Sequence, residues 1–298
     1  MHKLFLASRI CALLIFTIML ATAAQAQLDN TYVASSGFDT SDCSRTTPCR
    51  TFAGALAKTN TGGQINAVDP GDYGPVTINK SVIIDGKGTS ASINVTSGNA
   101  ISTTVPLNTS TIVLRNLQLN GAGTASRGVN QLSGTLIMQN VTITGFSTGY
   151  FVSGASAATP TRSEVSHCYF NDNTVGVEAQ SHTIVALSNC YITGNIHKGG
   201  VPFGVNIQPG SSTTATVKIE FCEISYTHSA IRASASDIPG KGNVNVYIRS
   251  NHIFSNTFGI NYSNNVDNFT DSMNRFSNNG DINATGTVNY DNFTIPVQ

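Results

Sequence analysis

The sequence predicts an all-β chain wound as one right-handed parallel coil, three short strands per turn, behind a short N-terminal capping helix. Three observations predict it. A degenerate motif recurs: HCYFNDNTVGVE at 167–178, NCYITGN at 189–195, FCEISYTHSAI at 221–231 and NHIFSNTFGI at 251–260. Around each copy apolar and polar residues alternate with the two-residue period of strands. No helical period of useful length occurs beyond residue 63.

The first element is a candidate export signal. His2, Lys3 and Arg9 give a basic start, and Ile10–Ala24 is apolar but short for a membrane span. Ala24-Gln25-Ala26 reads as a small-residue cleavage site, so residues 1–26 are expected to leave and Gln27 to begin the mature chain. No other run is long and apolar enough to span a bilayer. Secretion or a periplasmic home is the expected outcome.

Residues 27–62 are expected to cap the coil. Cys43 and Cys49 frame SRTTP, and an oxidising compartment favours a disulfide between them. TFAGALAKT at 51–59 offers a short amphipathic helix with Phe52, Ala55 and Leu56 on one face. A cap is needed because an open coil end exposes strand edges and core.

Residues 63–298 carry the coil and a C-terminal capping tail. Core pairs recur at Leu117/Leu119, Val141/Ile143, Cys168/Phe170, Cys190/Ile192, Cys222/Ile224 and Asn251/Ile253. Their second members are 22 to 32 residues apart. Three and five places before each first member stand Leu114 and Ile112, Met138 and Leu136, Val165 and Ser163, Leu187 and Val185, Ile219 and Val217, Ile248 and Val246. Eleven of these twelve are apolar. Downstream, Gly149-Tyr150, Gly176-Val177, Ala230-Ile231 and Gly259-Ile260 each begin six residues after the second core residue. Three alternating segments per repeat stack at about 4.8 Å per strand and bury a continuous interior that no single repeat could bury alone. The usual hand of parallel crossovers makes the coil right-handed. Asn116, Asn140 and Asn189 fall at the first bend, where Asn bonds backbone and stacked neighbours; His167, Phe221 and Ser250 replace it elsewhere. Toward the end Asn274/Phe276 keeps the spacing, Asp271 takes a formerly apolar place, and VNYDNFTIPV at 288–297 is expected to lie over the last coil.

These repeated apolar pairs, Asn bends and Gly-closed third turns resemble the single-stranded right-handed parallel β-helix of the pectin-lyase-like superfamily, over roughly residues 63–280. The segment GGQINAVDPGDYGPVTINKSVIIDG at 62–86 resembles the opening coil of secreted members. The resemblance implies the fold and an association with carbohydrate. It also implies a cleft on one sheet face flanked by long turns. The long turns here carry SGASAATPTRS at 153–163, HKGGVPFG at 197–204 with His197, and SASDIPGKG at 234–242.

Composition narrows the function. Lys+Arg and Asp+Glu both number 16 and only 11% of residues are charged, so the basic stripe of a nucleic-acid binder is missing. One outward column reads Gln118, Thr142, Tyr169, Tyr191, Glu223, His252, Arg275. Tyr169 and Tyr191 offer ring faces to sugars, and Glu223, His252 and Arg275 offer hydrogen bonds or charge. The same column also serves as ordinary cross-strand neighbours on a solvated sheet. A second outward column reads Asn130, Phe151, Glu178, Asn206, Arg232, Asn261.

Catalysis has thinner support. A uronate lyase needs a cationic clamp, often calcium held by several carboxylates, and a base. No second carboxylate joins Glu178 in its column, so no cofactor is expected and calcium is the poorly supported alternative. A hydrolase needs two suitably placed carboxyls, and Glu220 and Glu223 fall on different strands. Glu178, Arg232, Glu223 and His252 are the candidate catalytic residues if there is chemistry. Cys168, Cys190 and Cys222 lie 22 and 32 residues apart, fit no metal spacing and are expected to fill the core as small hydrophobes. The expectation is an exported monomer that binds a polysaccharide or cell-surface glycan on a sheet face, without a complete catalytic set. The alternatives are a polysaccharide lyase or glycoside hydrolase acting on an acidic polysaccharide, and a structural surface spacer or adhesin.

Overall fold

Strand register decides the architecture. The structure, a computed structural model, describes residues 28–106, 110–195, 201–234, 242–263, 266–279, 283–285 and 288–291. The expected signal at 1–26, Gln27 and His197 lie outside the described residues, as does most of the turn at 234–242. Two long strands, Thr111–Gln131 and Thr135–Val152, bend through all three faces of the coil and pair in parallel. Later coils split the same path into three. The first sheet then continues through Thr161–Ser166, Thr183–Ser188, Thr214–Glu220, Asn243–Arg249 and Val266–Ser272. The second continues through Tyr169–Asn171, Tyr191–Thr193, Glu223–Ser225, His252–Phe254 and Arg275–Ser277. The third continues through Val175–Ala179, Phe203–Ile207, Ser229–Ser234, Phe258–Ser263 and Asn283–Thr285. Every strand pairing among the described residues is parallel.

The interior consists of apolar ladders. Ile143, Phe170, Ile192, Ile224 and Ile253 stack in successive coils and each is fully buried. Tyr150, Val177, Val205, Ile231 and Ile260 form another column. Ser163, the one polar residue of the twelve, is buried with a partner set. The Tyr150 hydroxyl bonds to Gln131 and Ser163, and Ser163 donates to Gln131 Oε1 at 2.9 Å. Gln131 Nε2 in turn donates to the carbonyls of Gly134 and Arg162. Burial pushes the Tyr150 phenol above its usual range, so it stays a neutral donor.

Two bends turn the chain, and both need a left-handed residue. Asn116, Asn140, His167, Asn189, Phe221, Ser250 and Met273 occupy the first, with φ between 52° and 59°. Asn tolerates this region better than most side chains, which explains its recurrence there. The Asn140 amide also donates to Asn116 Oδ1 at 2.8 Å, and Asn116 to Asp85 at 2.7 Å. The second bend holds Gly145, Asp172, Gly194, Tyr226, Ser255 and Asn278.

Inside the second bend runs a buried asparagine ladder that the sequence reading did not foresee. Oδ1 of each Asn accepts the backbone N–H of the preceding coil: Asn173 from Phe146, Asn195 from Asn173, Asn256 from Thr227, Asn279 from Asn256, all at 3.0–3.1 Å. The amide nitrogens of Asn173, Asn256 and Asn279 donate to the carbonyls of Ile143, Ile224 and Ile253. Thr227 interrupts the ladder, and the adjoining Asn195 Nδ2 is buried with no partner. Thr227→Asn should therefore raise the unfolding free energy by about 1 kcal/mol, read as a higher urea midpoint; a lower midpoint would contradict the ladder's role.

The three free cysteines sit in the inward column of the first bend and are buried. Asn251 and Asn274 continue that column, and Asn251 Oδ1 accepts the Cys222 N–H at 2.8 Å. One coil earlier the Cys222 sulfur takes the same place opposite the Cys190 N–H at 3.4 Å. Contact with Cys190 and burial push the Cys168 and Cys222 thiols well above the ordinary thiol range. All three pack in the interior as small core groups.

The expected disulfide and short helix are both present at the N-terminal end. Cys43 and Cys49 are bonded. The helix Phe52–Lys58 is capped by Thr51 Oγ1, which accepts from Gly54 N at 2.9 Å, and buries Phe52, Ala55 and Leu56. The Phe52 ring packs on Tyr73 at 5.0 Å between centroids. Leu28–Val33 adds a parallel strand ahead of Thr59–Ala67, so the stack starts inside the segment read as cap. At the other end Val288–Asp291 pairs in parallel with Val266–Ser272, so these four residues extend the stack. The rest of the expected tail lies outside the described residues. Among the described residues no helix is long and apolar enough to cross a membrane.

Candidate functional site

Three outer faces are available, and they differ in chemistry. The second sheet is only three residues wide in the later coils, so its outward side chains stand beside those of both bends. Gln118, Thr142, Tyr169, Tyr191, Glu223, His252 and Arg275 pair in that order, one per coil. Tyr169 and Tyr191 are 37% and 53% exposed, with ring centroids 6.3 Å apart and planes tilted by 51°. Phe221 and Tyr226, at the two bends of the Glu223 coil, are 55% and 57% exposed. Tyr226 meets the Phe254 ring edge-on at 5.9 Å, and His252 stacks on the same ring at 4.4 Å. His252 also reaches Ser277 Oγ at 3.3 Å. Of the ten exposed large apolar side chains among the described residues, five border this narrow sheet: Tyr169, Tyr191, Phe221, Tyr226 and Met273. Such clustering on one face points to an interaction surface.

The third sheet pairs Asn130, Phe151, Glu178, Asn206, Arg232 and Asn261 in one column. It is knitted together rather than open. Phe151 is buried beneath the Arg127 guanidinium, 3.5 Å from its centroid, and Arg127 donates to Asn130. Glu178 accepts from Thr148 and Gln180. Arg232 donates to Asn206 and Gln208 and lies over the Phe203 ring. Asn206 separates Glu178 from Arg232, so the two sit two coils apart and make no ion pair.

The first sheet carries a face that sequence reasoning passed over. Glu164, Ala186, Lys218 and Tyr247 stack in one outward column, and Ser166, Ser188, Glu220 and Arg249 in the next. Small Ala186, Ser166 and Ser188 between longer neighbours leave a shallow depression of about 300 Å³, also lined by Gln139, Glu164, Lys218 and Glu220. Lys218 stands over the Tyr247 ring at 5.9 Å. The register that located the other columns would have found this one, had the residues between the inward pairs of the first strand been read out. Among the described residues no three His, Cys, Asp or Glu side chains converge in a metal-binding group.

The fold superposes on that of a pectate lyase, Pel9A, with a TM-score of 0.53 at 15% identity, covering 89% of this chain and 78% of that one. An alginate lyase from Paenibacillus sp. str. FPU-7 aligns at a TM-score of 0.46 and 12% identity, over 86% of this chain and 99% of that chain. No protein-family model matches the sequence, and no curated protein is significantly similar to it. The chain is a right-handed parallel β-helix. At 15% identity the likeness to the pectate lyase establishes the fold alone.

Proposed function

We propose that this chain is an exported, monomeric glycan-binding protein that holds a polysaccharide against the outer face of its second sheet. The observation that carries the reading is the gathering of exposed Tyr169, Tyr191, Phe221 and Tyr226 around Glu223 and His252. Sugar rings present an apolar C–H face and a rim of hydroxyls. Aromatic rings suit the first and Glu223, His252 and Arg275 suit the second. The basic start, apolar run and small-residue site within residues 1–26 support export, as does the Cys43–Cys49 disulfide. The pectate lyase of like fold fits the same picture.

Retention of the chain lacking residues 1–26 on gels containing xylan, polygalacturonate or alginate tests the reading. Tyr191→Ala should weaken binding about tenfold, the scale of a central aromatic contact. Retention on no glycan would leave the β-helix as a surface spacer or adhesin.

A second reading, polysaccharide cleavage, is favoured by the first-sheet depression, where Glu164, Glu220 and Lys218 offer two carboxyls and a cation. Absorbance of unsaturated uronates or new reducing ends, abolished in Glu164→Gln or Glu220→Gln, would place catalysis above binding.

A further inference from the structure

The most unusual residues on the second-sheet face are Phe221 and Tyr226. Both have left-handed backbones, with φ of 55° and 53°. Bulky side chains avoid that region. Other coils put Asn, His or Ser at the first position, Met273 excepted, and Gly, Asp, Ser or Asn at the second. Neither aromatic is compensated by burial, since more than half of each side chain's area is exposed. The edge-on contact of Tyr226 with Phe254 is a small packing return, and backbone strain so little repaid by burial motivates a functional role. Both aromatics flank one three-residue strand, Glu223–Ser225, whose single outward carboxylate makes no hydrogen bond or ion pair among the described residues. Its column neighbours are Tyr191 and His252. Arg275 stands two coils away, roughly 10 Å by strand spacing.

We propose that Phe221, Glu223 and Tyr226 form one subsite for an uncharged sugar ring, with the aromatics as its two walls and the Glu223 carboxylate accepting from ring hydroxyls. The inference rests on the glycan-binding reading and adds a ligand class to it. A saccharide fits better than a protein partner because the apolar area comes in ring-sized pieces. Glu223, His252, Thr193 and Asn171 interrupt it, whereas the core of a protein interface is contiguous and depleted of charge. A uronate ring is disfavoured at this point, since its carboxylate would face that of Glu223 with no cation between them.

Isothermal titration with hexasaccharides of xylose, glucose and mannose, set against hexagalacturonate, tests the subsite. The wild-type chain should bind at least one neutral hexasaccharide about tenfold more tightly than the acidic one. Phe221→Asn/Tyr226→Asn should lose about tenfold in affinity while its melting temperature stays level or rises, because Asn suits both bends. Glu223→Gln should narrow the gap between neutral and acidic ligands. Tighter binding of hexagalacturonate would overturn the inference. So would a double variant that binds like wild type, or one that melts well below it, and either result leaves the glycan-binding reading standing. Failure of the wild type to bind any of the four would overturn both.

Discussion

Asn256→Leu should lower the unfolding free energy by about 4 kcal/mol, the largest single effect expected in the chain. Leucine keeps the same branched arrangement of side-chain heavy atoms but makes none of the Asn256 hydrogen bonds. Oδ1 accepts from Thr227 N and Oγ1, both at 3.0 Å. The two Nδ2 protons are shared among three acceptors within reach, Ile224 O at 3.1 Å, Phe254 O at 2.9 Å and Asn279 Oδ1 at 2.9 Å. The substitution orphans at least one buried N–H and one buried carbonyl, each worth roughly 1–3 kcal/mol when unsatisfied. The ladder couples coils, so the loss should also make the Asn195–Asn279 region exchange its amide hydrogens sooner. Asn278→Gly is the control, because glycine also suits the left-handed backbone there, φ 51°. Its amide makes one exposed bond, to Ser255 at 3.3 Å, and its loss should change stability by under about 0.5 kcal/mol. Equal effects at the two sites would show that the ladder contributes nothing special.

Gly176→Val should cost about 2–3 kcal/mol through overpacking. A Cβ at Gly176 would lie 2.6 Å from the Gly204 carbonyl oxygen, 2.8 Å from an Ile192 methyl and 3.0 Å from Asn195 Nδ2. The same squeeze recurs at Gly149 and Gly204, whose added Cβ atoms would meet the carbonyls of Gly176 and Ala230 at 2.7 and 2.5 Å. This column of small residues lets the third sheet close against the asparagine ladder. Ala230 fills one place in it, so a methyl can be absorbed where the neighbouring coil gives way. Gly176→Ala should accordingly cost less than valine. A valine variant with a wild-type melting temperature would mean that the third turn is loosely packed.

Much of this fold was legible because a parallel coil repeats its constraints. Period-two alternation fixed which residues face inward, and the apolar pairs at Phe170, Ile192, Ile224 and Ile253 then set the register of the second sheet. The outward order Tyr169, Tyr191, Glu223, His252, Arg275 followed from that register alone. Ser163 looked like a defect in the pattern because its partners, Tyr150 and Gln131, come from other coils. The buried ladder at Asn173, Asn195, Asn256 and Asn279 escaped notice for a similar reason. In an Asn-rich chain, a residue three places after the core pair looks like any other turn asparagine. The third-sheet column read as open, yet Arg127 folds over Phe151, and long side chains of this sort are not placed by periodicity. Phe221 was read only as a replacement for a bend Asn, and its exposure in a left-handed backbone needed coordinates.

Hydroxyl-radical footprinting with and without the best-retained polysaccharide tests the glycan-binding account most directly, because the exposed aromatics report on two separate faces. Protection of Tyr191, Phe221 and Tyr226, with Tyr247 on the first sheet unchanged, is the predicted result. Protection of Tyr247 with the other three unchanged would move the ligand to the first-sheet depression and contradict it.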